Sequence, residues 1–202
     1  MSRLIGIVLF NDFEDLDAIG PKEALSVMAS TSGAEWEVAL ISEDGGPVRS
    51  FLGTRLLCDY SYEDCPPLDV ILIPGGFGTR AEMNNPKHIE FVKRQGENCQ
   101  YVTSVCTGAL VLHSAGFLAG KRATTHASAI QALRTLAGDE VTVVDDQRWV
   151  RDGNVITAGG VSAGIDMALY LVSLLRGAQT AKNVQLMMEY YPKPPTFEEA
   201  PV

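Results

Sequence analysis

The chain has 202 residues and a net charge of −9, with 46% apolar and 20% charged residues, the balance of a soluble domain with a full hydrophobic core. No basic run offsets the acidity, which argues against nucleic acid and anionic membrane surfaces as partners. No segment approaches the roughly 20 apolar residues that span a bilayer. The first apolar run, Leu4 to Phe10, is too short for a secretory signal, so the expected compartment is the cytoplasm, where thiols stay reduced.

The apolar patterning predicts the elements in order. Residues 3–10 read as a buried strand, and 11–20 as a loop. Pro21 suits the first turn of a helix over 21–30. Residues 36–42 form the next strand, and 54–62 a short strand or hairpin arm. The continuous apolar run 68–73, stopped by Pro74-Gly75-Gly76, has the look of a central parallel strand covered on both faces. A helix over 86–97, a strand over 100–105 and helices over 107–116 and 128–138 follow. Residues 140–160 hold two or three strands around an Asp152-Gly153-Asn154 turn. A long apolar helix spans 162–177, and Glu189, Tyr190 and Tyr191 read as part of a final helix.

Strands alternate with helices, so the fold class is α/β with a mostly parallel sheet. No linker or repeat divides the chain, and one domain is expected over 1–202, with a C-terminal extension from about residue 190. Ligands of such sheets bind beyond the carboxyl ends of the strands. Three unusual corners fall at such ends: Gly75-Gly76, Cys106-Thr107-Gly108 and Gly159-Gly160. The loop that carries Asp17 follows the first strand, so these places are expected to converge.

The four cysteines, Cys58, Cys65, Cys99 and Cys106, contain no Cys-x-x-Cys, and with three histidines no zinc pattern assembles. Cys58, Cys65 and Cys99 read as small buried hydrophobes. Cys106 differs because it sits where a buried strand meets a helix, the position of a nucleophile elbow, with Gly108 allowing the helix to approach. The helix start is expected to lower the thiol pKa. Amides near Gly75-Gly76 would add oxyanion donors, and Asp17 would shuttle a proton. Each feature also has a plainer reading: a tight turn for Gly75-Gly76, a loop or cap role for Asp17, and a structural hydrogen bond for His126.

The segments "LDVILIPGG", "YVTSVCTGALVL", "GKRATTH" and "VRDGNVITAGGVSAGID" resemble the ThiJ/PfpI superfamily, which shares the class I glutamine amidotransferase-like fold. The likeness runs over nearly the whole chain. It implies a flavodoxin-like sandwich, an elbow cysteine and a homodimer. Within the superfamily, Leu16-Asp17-Ala18-Ile19-Gly20-Pro21 and Thr103 to Gly108 are similar to the isocyanide hydratase group. Peptidase- and amidotransferase-like relatives carry a histidine directly after the cysteine or a downstream His-Glu. Here Thr107 follows Cys106 and no His-x-Glu is present, which turns the reading away from a Cys-His pair. Glyoxalase-like relatives carry a glutamate after the first strand, where this chain matches Asp17, with Glu14 and Glu23 as nearby rivals.

The resemblance implies a cofactor-free reaction on a small uncharged isocyanide in a small apolar pocket. Cys106 would attack the isocyanide carbon, Asp17 would move protons, and Thr107 would hydrogen-bond near Asp17 or the water. The backbone at Gly75, Gly76 and Gly159 to Val161 would contact the sulfur or the developing charge. The alternatives are a cysteine-based redox sensor or stress-protective protein, and a cofactor-free glyoxalase acting on α-oxoaldehydes.

Overall fold

The computed structural model describes residues 2–33 and 35–191. The elements, in chain order, are β1 (Arg3–Val8), α1 (Asp15–Ser30), β2 (Trp36–Ile41), β3 (Val48–Arg49), β4 (Arg55–Leu56), β5 (Val70–Ile73), α2 (Thr79–Glu82), α3 (Pro86–Gly96), β6 (Tyr101–Val105), α4 (Gly108–Ser114), β7 (Lys121–Ala123), α5 (Ile130–Ala137), β8 (Val141–Val143), β9 (Trp149–Asp152), β10 (Val155–Ala158), α6 (Ala163–Arg176) and α7 (Ala178–Met187).

The central sheet has the order β2-β1-β5-β6-β10-β9. All its pairs are parallel except β9–β10, which meet across the Asp152-Gly153-Asn154 turn. The β5 and β6 side chains are buried throughout, as strands covered on both faces require. From β1 the chain steps through α1 to β2, whereas from β5 it steps through α3 the other way, to β6. Right-handed crossovers therefore put α1 and α3 on opposite faces. The first layer is α1 packed on α6 and α6 on α7; the second is α3 and α4, with α5 beside α4. The sheet reverses direction between β1 and β5, and the crevice beyond their carboxyl ends is where α/β sheets bind ligands. β3–β4 form a small hairpin, so the hairpin-arm reading of 54–62 holds for Arg55–Leu56.

Two local expectations are corrected. The helix expected from Pro21 starts at Asp15, with Pro21 in its interior. Ala18, Leu25 and Met28 bury one helical face, and that burial carries the helix across a residue that interrupts one backbone hydrogen bond. Pro21 has no N–H to offer the carbonyl four residues back, which belongs to Asp17. The last described helix ends at Met187, and Glu189 has φ +49°, so Glu189, Tyr190 and Tyr191 do not continue it. Tyr190 instead donates its hydroxyl to Asp166 Oδ1 at 3.0 Å. The C-terminal extension expected from about residue 190 lies, beyond Tyr191, outside the described residues.

Candidate active site

Cys106 ends β6 with φ +56°, a left-handed conformation that a residue with a side chain adopts only when its surroundings impose it. The surroundings here are specific. Its N–H donates to the carbonyls of Gly159 (3.0 Å) and Ala158 (3.1 Å) at the end of β10. Its carbonyl accepts the Thr125 hydroxyl at 2.7 Å. The neighbouring strand and the Thr124-Thr125 segment thus hold the corner from both sides. The elbow read from the sequence is present.

Asp17 lies in the first turn of α1 and is fully buried. Its Oδ2 accepts the Gly75 N–H at 2.9 Å, and the carboxyl group also faces the Cys106 thiol and the Val161 N–H. Burial pushes its pKa up to about 7, against the hydrogen bonds from Gly75 and Cys106 that favour the charged form. Glu14, just ahead of the helix, raises it further. Of the rival acids, Glu23 is exposed and Glu14 half-buried, so Asp17 is the acid that faces the sulfur.

The thiol departs from expectation. Cys106 is only 7% exposed, and its pKa is pushed up, to about 12, by burial first and by the Asp17 charge second. The Thr107 N–H and hydroxyl act in the opposite direction but do not prevail. A short helix start cannot offset desolvation beside a carboxylate. Because both groups resist a second negative charge, the pair near neutral pH holds one charge at most, and the thiol keeps its proton until Asp17 takes it.

The glycine corner serves the acid more than an oxyanion. The Gly75 N–H is committed to Asp17, and the Gly76 N–H donates to Thr107 Oγ1 at 3.0 Å. Both N–H groups are thus engaged within the protein. The N–H that favours a negative sulfur is that of Thr107. A Cβ at Gly75 would stand 2.6 Å from the Thr107 nitrogen and 2.7 Å from both Asp17 Oδ2 and Cys106 Cβ, so only glycine lets the acid, the elbow and the β5 corner meet. At Gly108 a Cβ would collide with the Ile73 carbonyl, so that glycine lets α4 approach β5 as expected.

Thr107 is buried and its hydroxyl binds Gly76, not Asp17. It accepts from the Gly76 N–H at 3.0 Å, and lies 3.1 Å from the Gly76 carbonyl and 3.0 Å from the Thr79 hydroxyl. Thr79, which the sequence reading missed, closes this cluster by donating to the Gly76 carbonyl at 2.7 Å. Thr125 was missed as well, although it stands inside the "ATTH" segment. Thr79 offers one sequence signal, the glycine turn just before it; Thr125 offers none.

Gly159 takes part through its carbonyl, which accepts from Cys106, and not through its N–H, which donates to the Arg148 carbonyl at 2.8 Å. Val161 has φ +50°, an outlier for a β-branched residue, and its backbone lies near Asp17, whose buried Oδ1 has no hydrogen-bond partner among the described residues. His126 binds Ser128: its Nδ1 accepts the Ser128 N–H at 3.1 Å and lies 2.8 Å from the Ser128 hydroxyl. A cavity of about 160 Å³ opens in front of Cys106, lined also by Thr107, Val161, Phe77, His126, Arg80 and Glu14. It is small, as expected, but Arg80 and Glu14 give it a charged rim that the expected apolar pocket lacked. Among the described residues no three His, Cys, Asp or Glu side chains gather to hold a metal.

The DJ-1/PfpI family pattern matches residues 3–174. The chain belongs to the DJ-1/PfpI family. Among its DJ-1/PfpI relatives is an isonitrile hydratase of Pseudomonas putida, 44% identical over 201 residues, which span 100% of this chain and 84% of that protein. A Parkinson disease protein 7 homolog of Danio rerio is 29% identical, over 89% of this chain and 93% of the relative. Among solved structures, a ThiJ/PfpI family protein from Pseudomonas syringae superposes with a TM-score of 0.87 at 31% identity, covering 99% of this chain and 80% of that one. Drosophila melanogaster DJ-1beta, at 22% identity and a TM-score of 0.81, shares the fold. The flavodoxin-like α/β architecture of the family is the one seen here.

Proposed function

We propose that this DJ-1/PfpI protein is an isocyanide hydratase, converting an isocyanide and water to an N-substituted formamide without a cofactor. The observation that carries the reading is the buried Asp17 carboxyl facing the thiol of a strained Cys106 at the floor of a small cavity. The hydratase activity belongs by name to the Pseudomonas putida relative, whose likeness spans this whole chain.

The geometry supports the following steps. Asp17, ionised, takes the Cys106 proton as sulfur bonds to the terminal carbon of R–N≡C, and then returns that proton to the same carbon. The product is a thioimidate, R–N=CH–S: the sulfur pair makes the C–S bond, the carbon lone pair makes the C–H bond, and one C–N π pair moves onto nitrogen. Water then adds to this carbon; Asp17 removes its proton and delivers one to nitrogen. The C–S bond of R–NH–CH(OH)–S breaks, the hydroxyl proton returns to sulfur through Asp17, and the formamide R–NH–CHO leaves. A carboxyl whose pKa is about 7 suits alternate acid and base roles near neutrality. The Gly75 N–H holds the carboxyl through Oδ2, while Thr107 and Thr79 fix the Gly76 corner.

Hydration of an aryl isocyanide, with the formamide identified by mass, tests the reading. Steady turnover by the wild type and none by Cys106→Ala supports it; equal turnover by both would sink it. A cysteine-based sensor is the runner-up. It would show stoichiometric modification of Cys106 without turnover. Glyoxalase activity would appear as lactate formed from methylglyoxal. The same reading takes the chain as one domain acting in the cytoplasm as a homodimer. Size-exclusion chromatography with light scattering tests the last point. No helix among the described residues is long and apolar enough to cross a membrane.

A further inference from the structure

The cavity in front of Cys106 is larger than an isocyano group requires, and its rim is not neutral. Arg80, in the short helix α2, is held there by three contacts. Its Nη1 donates to the Gly76 carbonyl at 3.1 Å and lies 3.4 Å from the Thr79 hydroxyl oxygen, and its guanidinium lies over the Phe77 ring, 5.5 Å from the centroid. Among the described residues no carboxylate comes within ion-pair distance of it, in contrast with Arg3, Arg134, Arg148 and Arg176. Its Nε and Nη2 donors have no partner among the described residues and form a planar fork that suits a carboxylate.

A second donor lines the same cavity. Nδ1 of His126 accepts the Ser128 amide, so the neutral ring carries its proton on Nε2, which has no partner among the described residues. Glu14 lines the cavity too, and it repels an anion placed near it. An anionic substituent is therefore directed to the Arg80 side. The cavity volume of about 160 Å³ limits the distance between that substituent and the reacting carbon to a few bonds.

We infer that the substrate is a small isocyanide bearing a carboxylate, which Arg80 receives while the isocyano carbon faces Cys106. This rests on the hydratase reading for the reacting group but not for the anion site. Arg80 is a specificity residue; it takes no part in bond making.

A matched pair isolates the charge: isocyanoacetate and its methyl ester. The acid is expected to have at least tenfold the kcat/KM of the ester with the wild type, the difference residing in KM. Arg80→Met should lower kcat/KM for the acid at least tenfold more than for the ester, and Arg80→Lys should recover part of that difference. Comparing the ratio removes any common effect of losing the Gly76 contact. A wild type that prefers the ester, or an Arg80→Met variant that affects both substrates equally, would overturn the inference. The product anion, N-formylglycinate, gives a readout without turnover. Calorimetry should show it binding the wild type and losing at least tenfold in affinity with Arg80→Met. If no isocyanide were hydrated yet the anion bound through Arg80, the hydratase reading would fail and the anion site would stand. If cyclohexyl isocyanide were hydrated and the anion did not bind, the reverse would hold.

Discussion

Two buried pairs of titratable groups lie toward the carboxyl edge of this sheet, and only one is built for chemistry. In Asp17–Cys106, burial raises both groups, the nucleophile sits in a left-handed corner, and a cavity reaches the sulfur. In Tyr62–His88, the hydroxyl lies 2.6 Å from Nδ1, burial pushes His88 down to about 4 and the Tyr62 hydroxyl upward. That pair is packed between Phe91, stacked on Tyr62, and Phe10, edge-on to His88. Neither Tyr62 nor His88 has positive φ; Tyr62 lines two clefts, but His88, its titratable partner, lines none of the cavities described. Cys99 makes the same point, since burial also pushes its thiol up to about 12 while its Sγ rests 3.3 Å from the Leu68 carbonyl. Perturbed protonation is a consequence of burial; what sets the Cys106 site apart is a strained backbone at the residue onto which its cavity opens.

The contrast can be broken by experiment. The largest effect belongs to Cys106→Ala, expected to abolish turnover while the protein folds. Asp17→Asn should follow, with a loss of about 100- to 10,000-fold in kcat. For the wild type, kcat/KM on a neutral isocyanide should fall as pH drops below about 7, where Asp17 becomes protonated. A flat profile down to pH 5 would separate Asp17 from the proton transfers. Gly75→Ala forces a Cβ between Asp17, Thr107 and Cys106 and should cost about 1–3 kcal/mol of stability together with most of the activity. Tyr62→Phe is the opposite case. It removes the partner of a buried imidazole and should cost about 1–3 kcal/mol in denaturant melts, with kcat/KM within about twofold of the wild type. A large activity loss there would erase the distinction between the pairs.

The smallest expected effect is a change in the pH dependence of stability. Asp17 has a folded pKa above its unfolded value of 3.8, so the folded state binds the extra proton and stability rises as pH falls from about 7 toward 3.8. His88 has a folded pKa of about 4, below its ordinary 6.5, so its contribution is lost as pH falls through that range. Between about 4 and 6.5 the two slopes oppose each other. Asp17→Asn removes one of them: the variant should be more stable than the wild type above pH 7, and its stability should fall more steeply on acidification below 6.5. Urea melts at several pH values measure both. Parallel curves for the two proteins would show that Asp17 is not held in the raised state.

Much of this was legible beforehand. Residues 68–73 and 100–105 read as central strands because unbroken apolar runs have few other places to go, and they are β5 and β6. Cys106 stood out because a cysteine followed by Thr-Gly at the end of such a run breaks the pattern. The start of α1 was misread because proline is a local signal, whereas the buried face that overrides it is a tertiary one. Thr79 and Arg80 were invisible because α2 is four residues long and has no periodicity to detect.

By itself, then, the sequence determined the alternation of strands and helices, the elbow cysteine and the candidate acid, since apolar period and corner residues are local properties. Only the tertiary structure decided which way the thiol pKa moves, that the Gly75 N–H serves Asp17, that Thr107 binds Gly76, and that Arg80 reaches the rim. Each of those depends on what burial and long-range approach place beside a group, and no spacing along the chain encodes the dielectric or the neighbour across the crevice.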